Sequence, residues 1–292
     1  MKNSHLLTLT DTRKLVAELG LRPKRKLGQN FLVDKNIAQR VIALSEITEE
    51  DKVIEIGPGL GAITGAILTK GATVFAIEAD NILHGFLSNS LALEFPSSLK
   101  LLKGDAVKEP LAGFKPTPGV VSQIESVKIV SNLPYAISSP WMNSVMEGPL
   151  PSSMTLMLQK ETADRFTASI GSRELGLISI QIKSTYILEK RAAVSRRCFY
   201  PKPDVDSYLC RFHLKSQPYV FSKTSKKLIR QIFTQRRKQI GGICRNQPTL
   251  QPWLQVLLEA KISHRTRPEA IPLKMWQELD RLLCIKERDY LK

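Results

Sequence analysis

The tetrapeptide Asn132-Leu-Pro-Tyr135 puts an amide, a backbone stiffened by proline and an aromatic ring within four residues. That set suits chemistry on an exocyclic aromatic amine, a poor nucleophile because its lone pair is delocalised into the ring. An amide oxygen and a backbone carbonyl that accept its two N–H bonds favour the pyramidal, localised form needed to attack an electrophilic sulfonium methyl. Such help acts mainly in the transition state, so it raises turnover. No strong general base is required, because the alkylated product sheds its proton readily. The Tyr135 ring offers a face on which an extruded base stacks, worth about 1–3 kcal/mol. The alternative reading is a loop in which Pro134 merely ends a strand.

A second group of residues points to a nucleoside. Gly57-x-Gly-x-Gly61 follows the apolar run Lys52-Val-Ile-Glu-Ile56, and glycines let a backbone turn sharply and approach a ligand closely. The spacing is neither that of a dinucleotide fingerprint nor that of a triphosphate loop, and taken alone it is equally a tight turn without a ligand. Glu78 stands 17 residues beyond Gly61, at the end of Thr73-Val-Phe-Ala-Ile77, where a carboxylate accepts hydrogen bonds from both ribose hydroxyls. Asp105 follows the next apolar run and suits an adenine amine. Either acid singly reads as a surface residue. Together with the glycines they describe one adenosine-containing ligand over the carboxyl edge of a sheet.

These residues require strands that end at 56, 77, 102 and 130, with helices between them. Asp34 is a suitable N-cap for a helix over Lys35–Ser45, with Ile37, Val41, Ile42 and Leu44 inward. A helix carrying Ile63, Ile67 and Leu68 is stopped by Gly71. Helix is expected near Asn81–Leu93, strand around Leu99–Leu102, loop from Pro110 to Gly119, and strand at Val127–Val130. Strand is expected again at Met154–Leu158, followed by a helix with Arg165 and Phe166, and then near Leu177–Ile187 and Val205–Leu214. This alternation predicts an α/β fold with a mostly parallel sheet covered on both faces.

Gln217-Pro218 reads as a linker, and beyond it Leu228, Ile229, Ile232, Phe233 and Ile240 fall at helical spacing, with later helices around Trp253–Ala260 and Leu273–Cys284. The expected domains are therefore 1–216, with 1–26 as a basic N-terminal extension, and a helical 217–292. Charge follows this division. Residues 1–40 carry nine Lys/Arg against three Asp/Glu, residues 217–292 carry sixteen against six, and these ends account for the whole net charge of +16. A neutral body with two basic ends fits a catalytic domain flanked by polyanion-binding surfaces. Cys198, Cys210, Cys244 and Cys284 lack C-x-x-C spacing, which argues against zinc, iron–sulfur and disulfide roles and for burial in a reducing compartment. His5, His84, His213 and His264 form no ligand spacing, so no metal is expected. Residues 1–20 do not read as a signal peptide, and the chain has no apolar run of about 18 residues.

Asn132-Leu-Pro-Tyr135, Gly28-Gln-Asn-Phe-Leu32 and Glu55-Ile-Gly-Pro-Gly-Leu-Gly61 together resemble the ribosomal RNA adenine dimethyltransferase family, in its bacterial KsgA branch. Leu158-Gln-Lys-Glu161, Phe199-Tyr-Pro-Lys-Pro-Asp-Val-Asp-Ser207 and Gln235-Arg-Arg-Lys238 extend the likeness, which runs from about residue 24 to the C-terminus. The resemblance implies a Rossmann-like S-adenosylmethionine-dependent methyltransferase domain with a small all-helical C-terminal domain. It implies two methyl transfers to N6 of each of two adjacent adenines near the 3′ end of 16S rRNA, within an immature 30S subunit; length and charge are compatible with a monomer, and the scattered cysteines with the cytoplasm. By the same analogy Asn30, Leu32, Gly57, Gly59, Gly61, Glu78, Asp105 and Asn132 hold S-adenosylmethionine. Asn132, Leu133 and Pro134 hold the target amine, and Tyr135 and Phe199 bracket the adenine. Arg22, Lys24, Arg25, Lys26, Arg236, Arg237 and Lys238 are the candidates for RNA phosphates.

Two rival readings remain. A large-subunit, macrolide-resistance-type adenine methyltransferase shares the Asn-x-Pro-Tyr logic, although Gly28 and the Gln-Arg-Arg-Lys segment favour the small subunit. A non-catalytic assembly factor would have no need of Glu78, Asp105 and an intact Asn132–Tyr135. The chain departs from the family pattern at Ala136, where many relatives carry Asn, and at Gly241-Gly242, where a continuous helix is expected and an early end would shift its basic face.

Overall fold

The computed structural model describes residues 7–23, 28–115 and 123–290. Thr8 caps helix α1 (Leu9–Glu18), its Oγ1 accepting from Asp11 N at 3.2 Å. After the short strand β1 (Phe31–Leu32), α2 (Lys35–Ser45) starts at the expected cap. Asp34 Oδ1 accepts from Asn36 N at 2.9 Å and Ile37 N at 3.1 Å. The alternating body then follows as β2 (Lys52–Ile56), α3 (Ala62–Leu68), β3 (Thr73–Glu78), α4 (Asn81–Ser88), α5 (Leu91–Glu94), β4 (Leu99–Lys103) and β5 (Gln123–Asn132). It continues with α6 (Ser138–Val145), β6 (Leu150–Gln159) and α7 (Lys160–Phe166). The single helix expected over 81–93 is two, separated at Asn89-Ser90.

Among the described residues, a short antiparallel pair joins β1 to β8 (Phe199–Tyr200). The main sheet adds α8 (Leu177–Thr185), β7 (Tyr186–Val194) and β9 (Ser207–Leu214) to the list of elements and has the strand order β4-β3-β2-β5-β6-β9-β7. Strands β4, β3, β2, β5 and β6 are parallel to their neighbours, and β9 returns antiparallel to β6. Val53, Ile54, Val127, Ile129, Met154 and Leu156 are all fully buried, as strands covered on both faces must be. The direction of winding reverses between β2 and β5, the switch point at which open α/β sheets bind ligands beyond their carboxyl ends.

The strand expected at Leu177–Ile187 is helix α8 up to Thr185, with β7 beginning only at Tyr186. The cause is tertiary. Leu177-Ile-Ser-Ile-Gln-Ile182 alternates like a strand, but α8 is buried almost all round, Ser179, Gln181, Ser184 and Thr185 included. A helix with no solvent face shows no amphipathic period. Ser179 satisfies its hydroxyl on Arg165 O at 2.7 Å.

The chain forms two compact units. One comprises the described residues up to Ala163 with Leu188–Leu214, and the other Asp164–Ile187 with the residues from Lys215 onward. The change at Leu214 to Lys215 lies beside the anticipated linker, whereas 164–187, grouped by sequence with the first domain, sides with the helical unit. That unit contains α9 (Lys223–Thr234), α10 (Ile240–Arg245), α11 (Gln251–Glu259) and α12 (Leu273–Tyr290) around buried Trp253 and Trp276, whose ring centroids are 5.1 Å apart. Gln235–Lys238 is a turn after α9, and Gly241-Gly242 lies inside α10 rather than ending a helix there. Gly241 is needed for packing: a Cβ at that position would stand 2.9 Å from His264 Cβ and 3.0 Å from His264 O.

Candidate active site

Beyond the carboxyl ends of β2, β3 and β5 lies a cavity of about 310 Å³, within the range of small-molecule sites. The β2–α3 turn forms its floor. Gly57 and Gly59 have φ of +65° and +63°, values an L side chain rarely adopts. A Cβ on Gly57 would lie 2.5 Å from Pro134 Cγ, so the turn is pressed directly against the Asn132–Tyr135 segment.

At the end of β3, Glu78 is 6% exposed. Its Oε2 accepts from Gly59 N at 3.2 Å and its Oε1 from Asp80 N at 2.9 Å. Burial raises its carboxyl above the ordinary value, against the pull of these two amides. Asp80, also buried, caps α4 through Ile82 N and Leu83 N, and its Oδ2 accepts from Gln29 Nε2 at 3.3 Å. Glu55, on β2, lines the same cavity and is 2% exposed. Its Oε2 has no hydrogen-bond partner, and desolvation pushes its carboxyl up to about 8. Asp105, on the rim, is exposed and uses Oδ1 to accept from Val107 N at 2.9 Å.

Asn132 closes the cavity at the end of β5. Its Nδ2 donates to Asn30 O at 2.9 Å, which orients the amide and leaves the buried Oδ1 without a donor. The Asn30 side chain is itself tied to Gly28 O at 3.2 Å. A Cβ on Gly28, which has φ +64°, would come within 2.6 Å of Tyr135 N. The segment from Gly28 and the segment from Asn132 therefore meet backbone to backbone. The Pro134 carbonyl turns back into its own chain, accepting from Ile137 N at 3.2 Å and Ser138 Oγ at 3.1 Å. The Tyr135 hydroxyl lies 2.9 Å from Ser207 Oγ, and burial raises its pKa.

Most of the sequence candidates converge on this cavity: Asn30, Leu32, Gly57, Gly59, Glu78, Asp105, Asn132 and Pro134 line it. Three do not fit as expected. Gly61 is off the cavity wall; it precedes α3 with φ +82°, and a Cβ there would strike Leu91 Cδ1 at 2.5 Å, so its smallness serves packing. Leu133 is fully buried behind the turn. Phe199 is 2% exposed, because its pairing with Leu32 turns the ring into the core beside Val194, Cys198 and Leu209. Neither Phe199 nor Tyr135 lines the cavity.

Of the candidates for RNA contact, Lys24, Arg25 and Lys26 lie outside the described residues, and Arg22, Arg237 and Lys238 are exposed. Arg236 is half-buried, donating Nη1 to Arg173 O at 2.9 Å with its guanidinium 5.0 Å from the Phe233 ring centroid. Sequence reasoning missed Glu55, Gln29 and Asp80. An acid inside the otherwise apolar run Lys52–Ile56 was the available signal for Glu55, while Gln29 stood inside the Gly28–Leu32 motif and Asp80 at the cap position before the helix expected from Asn81.

A Rossmann-like sheet with a glycine turn after β2, a buried acid ending β3 and Asn-Leu-Pro-Tyr after β5 defines a methyltransferase. The family model described as ribosomal RNA adenine dimethylase matches residues 20–264, and the chain belongs to that family. It is 47% identical over 275 residues to ribosomal RNA small subunit methyltransferase A of Opitutus terrae, covering 94% of this chain and 98% of that protein. The protein of the same name from Lactobacillus helveticus is 32% identical over 291 residues, covering 94% and 96%. Among solved structures, a dimethyladenosine transferase from Plasmodium falciparum superposes with a TM-score of 0.69 at 23% identity, over 85% of this chain and 95% of that one. The 23S rRNA methyltransferase ErmE gives 0.63 at 21% identity, over 87% and 99%. Both structures share the fold.

Proposed function

We propose that this chain transfers methyl groups from S-adenosylmethionine to N6 of two adjacent adenines near the 3′ end of 16S rRNA, dimethylating each. In this reading it acts in the cytoplasm as a monomer on an immature 30S subunit. The observation that carries the proposal is the Asn132 amide, held by Asn30 O with a buried, unpartnered Oδ1, in a residue that lines the same cavity as Gly57, Glu78 and Asp105. Small-subunit rather than large-subunit RNA is favoured by the relatives' name and by the coverage of nearly the whole chain.

The residues present fit such a donor. Glu78, already fixed by two backbone amides, would take the ribose hydroxyls, and Asp105 would take the adenine amine. Gly57, Gly59, Asn30 and Leu32 would hold the remainder along the turn. Bound there, S-adenosylmethionine supplies an electrophilic methyl carbon. Asn132 Oδ1 would accept one N–H of the target amine. The second acceptor is the Leu133 carbonyl, because that of Pro134 is occupied by Ile137 N and Ser138 Oγ. Burial keeps the Tyr135 phenol neutral, and Ser207 fixes its hydroxyl, so its role is a stacking surface and not a base. Phe199 supports the site from the core and offers no free face.

Phosphate contacts are assigned to Arg22, Lys24, Arg25 and Lys26 and, in the helical unit, to Arg237 and Lys238, with Arg236 partly committed to Arg173. Hydrogen bonds from Ile240 N to Thr266 O and Gly241 N to His264 O, both 2.8 Å, bring a further turn with exposed Arg265 and Arg267 to the same part of that unit. We add these two to the phosphate set.

Labelled S-adenosylmethionine incubated with unmethylated small subunits tests the reading, with large subunits and naked rRNA as controls. The expected product is N6,N6-dimethyladenine in small-subunit RNA. Label confined to large-subunit RNA assigns a resistance-type activity instead, and cofactor binding without transfer assigns a non-catalytic assembly role.

A further inference from the structure

Helix α1 begins ahead of the span that the family model matches. Sequence alone made its segment part of a basic extension. In the structure α1 and the residue ahead of its cap reach the cavity: Leu7 and Thr12 stand on the wall, and Val16 clusters with Phe31, Leu60 and Leu83. Thr12 is 1% exposed, yet its hydroxyl has no hydrogen bond to any described residue. Serine and threonine in helices commonly return the hydroxyl to the carbonyl one turn back. Among the described residues several do so, including Ser45 to Val41 O at 2.7 Å, Thr69 to Gly65 O at 2.7 Å, Ser88 to His84 O at 2.9 Å and Ser90 to Phe86 O at 2.7 Å. The Thr12 hydroxyl makes no such bond among the described residues, and it lies on the cavity wall open to the space rather than sealed in the core, so a ligand there can reach it.

We propose that α1 is part of the methyl-donor site and that the Thr12 hydroxyl hydrogen-bonds the ribose of the donor. The inference rests on the S-adenosylmethionine reading above. Its placement follows from neighbours. A Cβ on Gly59 would lie 3.2 Å from the Phe31 ring, Gly59 N donates to Glu78, and Leu83 opens α4 just after the Glu78–Asp80 pair. The α1 cluster is built on these same residues, so it meets the cavity on the ribose side. Leu7 supplies an apolar wall there.

Calorimetric titration of the full chain with S-adenosylhomocysteine and with 5′-methylthioadenosine, which keeps the ribose but lacks the amino-acid tail, tests this. Thr12→Val is expected to weaken both ligands about five- to tenfold, and Thr12→Ser, which keeps the hydroxyl, by no more than about twofold. Hydrogen exchange of the α1 amides is expected to slow when S-adenosylhomocysteine is added. Wild-type affinity in Thr12→Val with unchanged α1 exchange overturns the inference, as does a loss confined to S-adenosylhomocysteine. Glu78→Ala separates the two readings: if it abolishes binding while Thr12→Val does not, the donor site stands and α1 is excluded from it. A wild-type chain that binds neither ligand overturns the donor reading itself.

Discussion

At the end of β3 the acidic groups already have partners. Glu78 accepts from Gly59 N and Asp80 N, and Asp80 accepts from two amides of α4 and from Gln29. At the end of β5 the key acceptor has none: Asn132 is anchored through its Nδ2, and its Oδ1 waits buried. In the proposed reading the acids of the donor half are therefore already fixed by the protein's own hydrogen bonds, and the target half would be completed only when an amine arrives. Leaving a buried acceptor unpaired costs about 1–3 kcal/mol, which the incoming N–H returns as the reacting geometry forms. A preorganised half suits a small donor that diffuses in. An incomplete half suits a base presented by a large RNA whose docking is driven elsewhere.

Asn132→Ala cuts this comparison most deeply. Methyl transfer is expected to fall about 100- to 1,000-fold, as for removal of a transition-state hydrogen-bonding group, while S-adenosylhomocysteine affinity in calorimetry falls less than about tenfold. Equal losses in both would show that the two halves are one unit.

The halves touch through two glycines. Gly28→Ala sets a Cβ 2.6 Å from Tyr135 N, a backbone atom, and Gly57→Ala sets one 2.5 Å from Pro134 Cγ, a ring with slightly more freedom. Both also place alanine at positive φ. Each should cost about 1–3 kcal/mol in urea unfolding, with Gly28→Ala the worse. Cofactor binding and transfer should fall together in both variants.

Glu55 lines the same cavity with its Oε2 unpaired. Its carboxyl is raised to about 8 from 4.5, so the folded chain keeps a proton that the unfolded chain releases. Its contribution to stability is thus fully present below about pH 4.5 and declines as pH rises towards 8, at no more than about 1.4 kcal/mol per pH unit. Urea midpoints measured across that range should show a shallower decline in Glu55→Gln; an unchanged slope would remove Glu55 as its source.

The smallest effects belong to the helical unit. Arg237→Ala and Lys238→Ala should each lower the salt dependence of RNA binding by about one unit of slope and leave S-adenosylhomocysteine affinity alone. Arg236→Ala should also lower stability, because its guanidinium is bonded to Arg173 O and packed against Phe233.

Local chemistry made much of this legible in one dimension. Asp34 announces α2 because an N-cap is decided within three residues, and apolar runs ending in Gly57, Glu78 and Asn132 mark strand ends because both faces of a parallel sheet are buried. The site was readable because strand ends in such a sheet lie side by side. What depended on distant packing was not. α8 carries a strand-like alternation and is a helix because it is enclosed on all sides. Gly61 looked like a cofactor glycine, and Leu91 explains it. Phe199 looked like a stacking ring, and its pairing with Leu32 buries it. Thr12 carried no signal at all, since a hydroxyl acquires meaning only from what does or does not stand opposite it. Spacing along the chain determined which residues share an edge of the sheet; which of their atoms remain unpaired there is settled by contacts between segments far apart in sequence, and only the tertiary structure contains those.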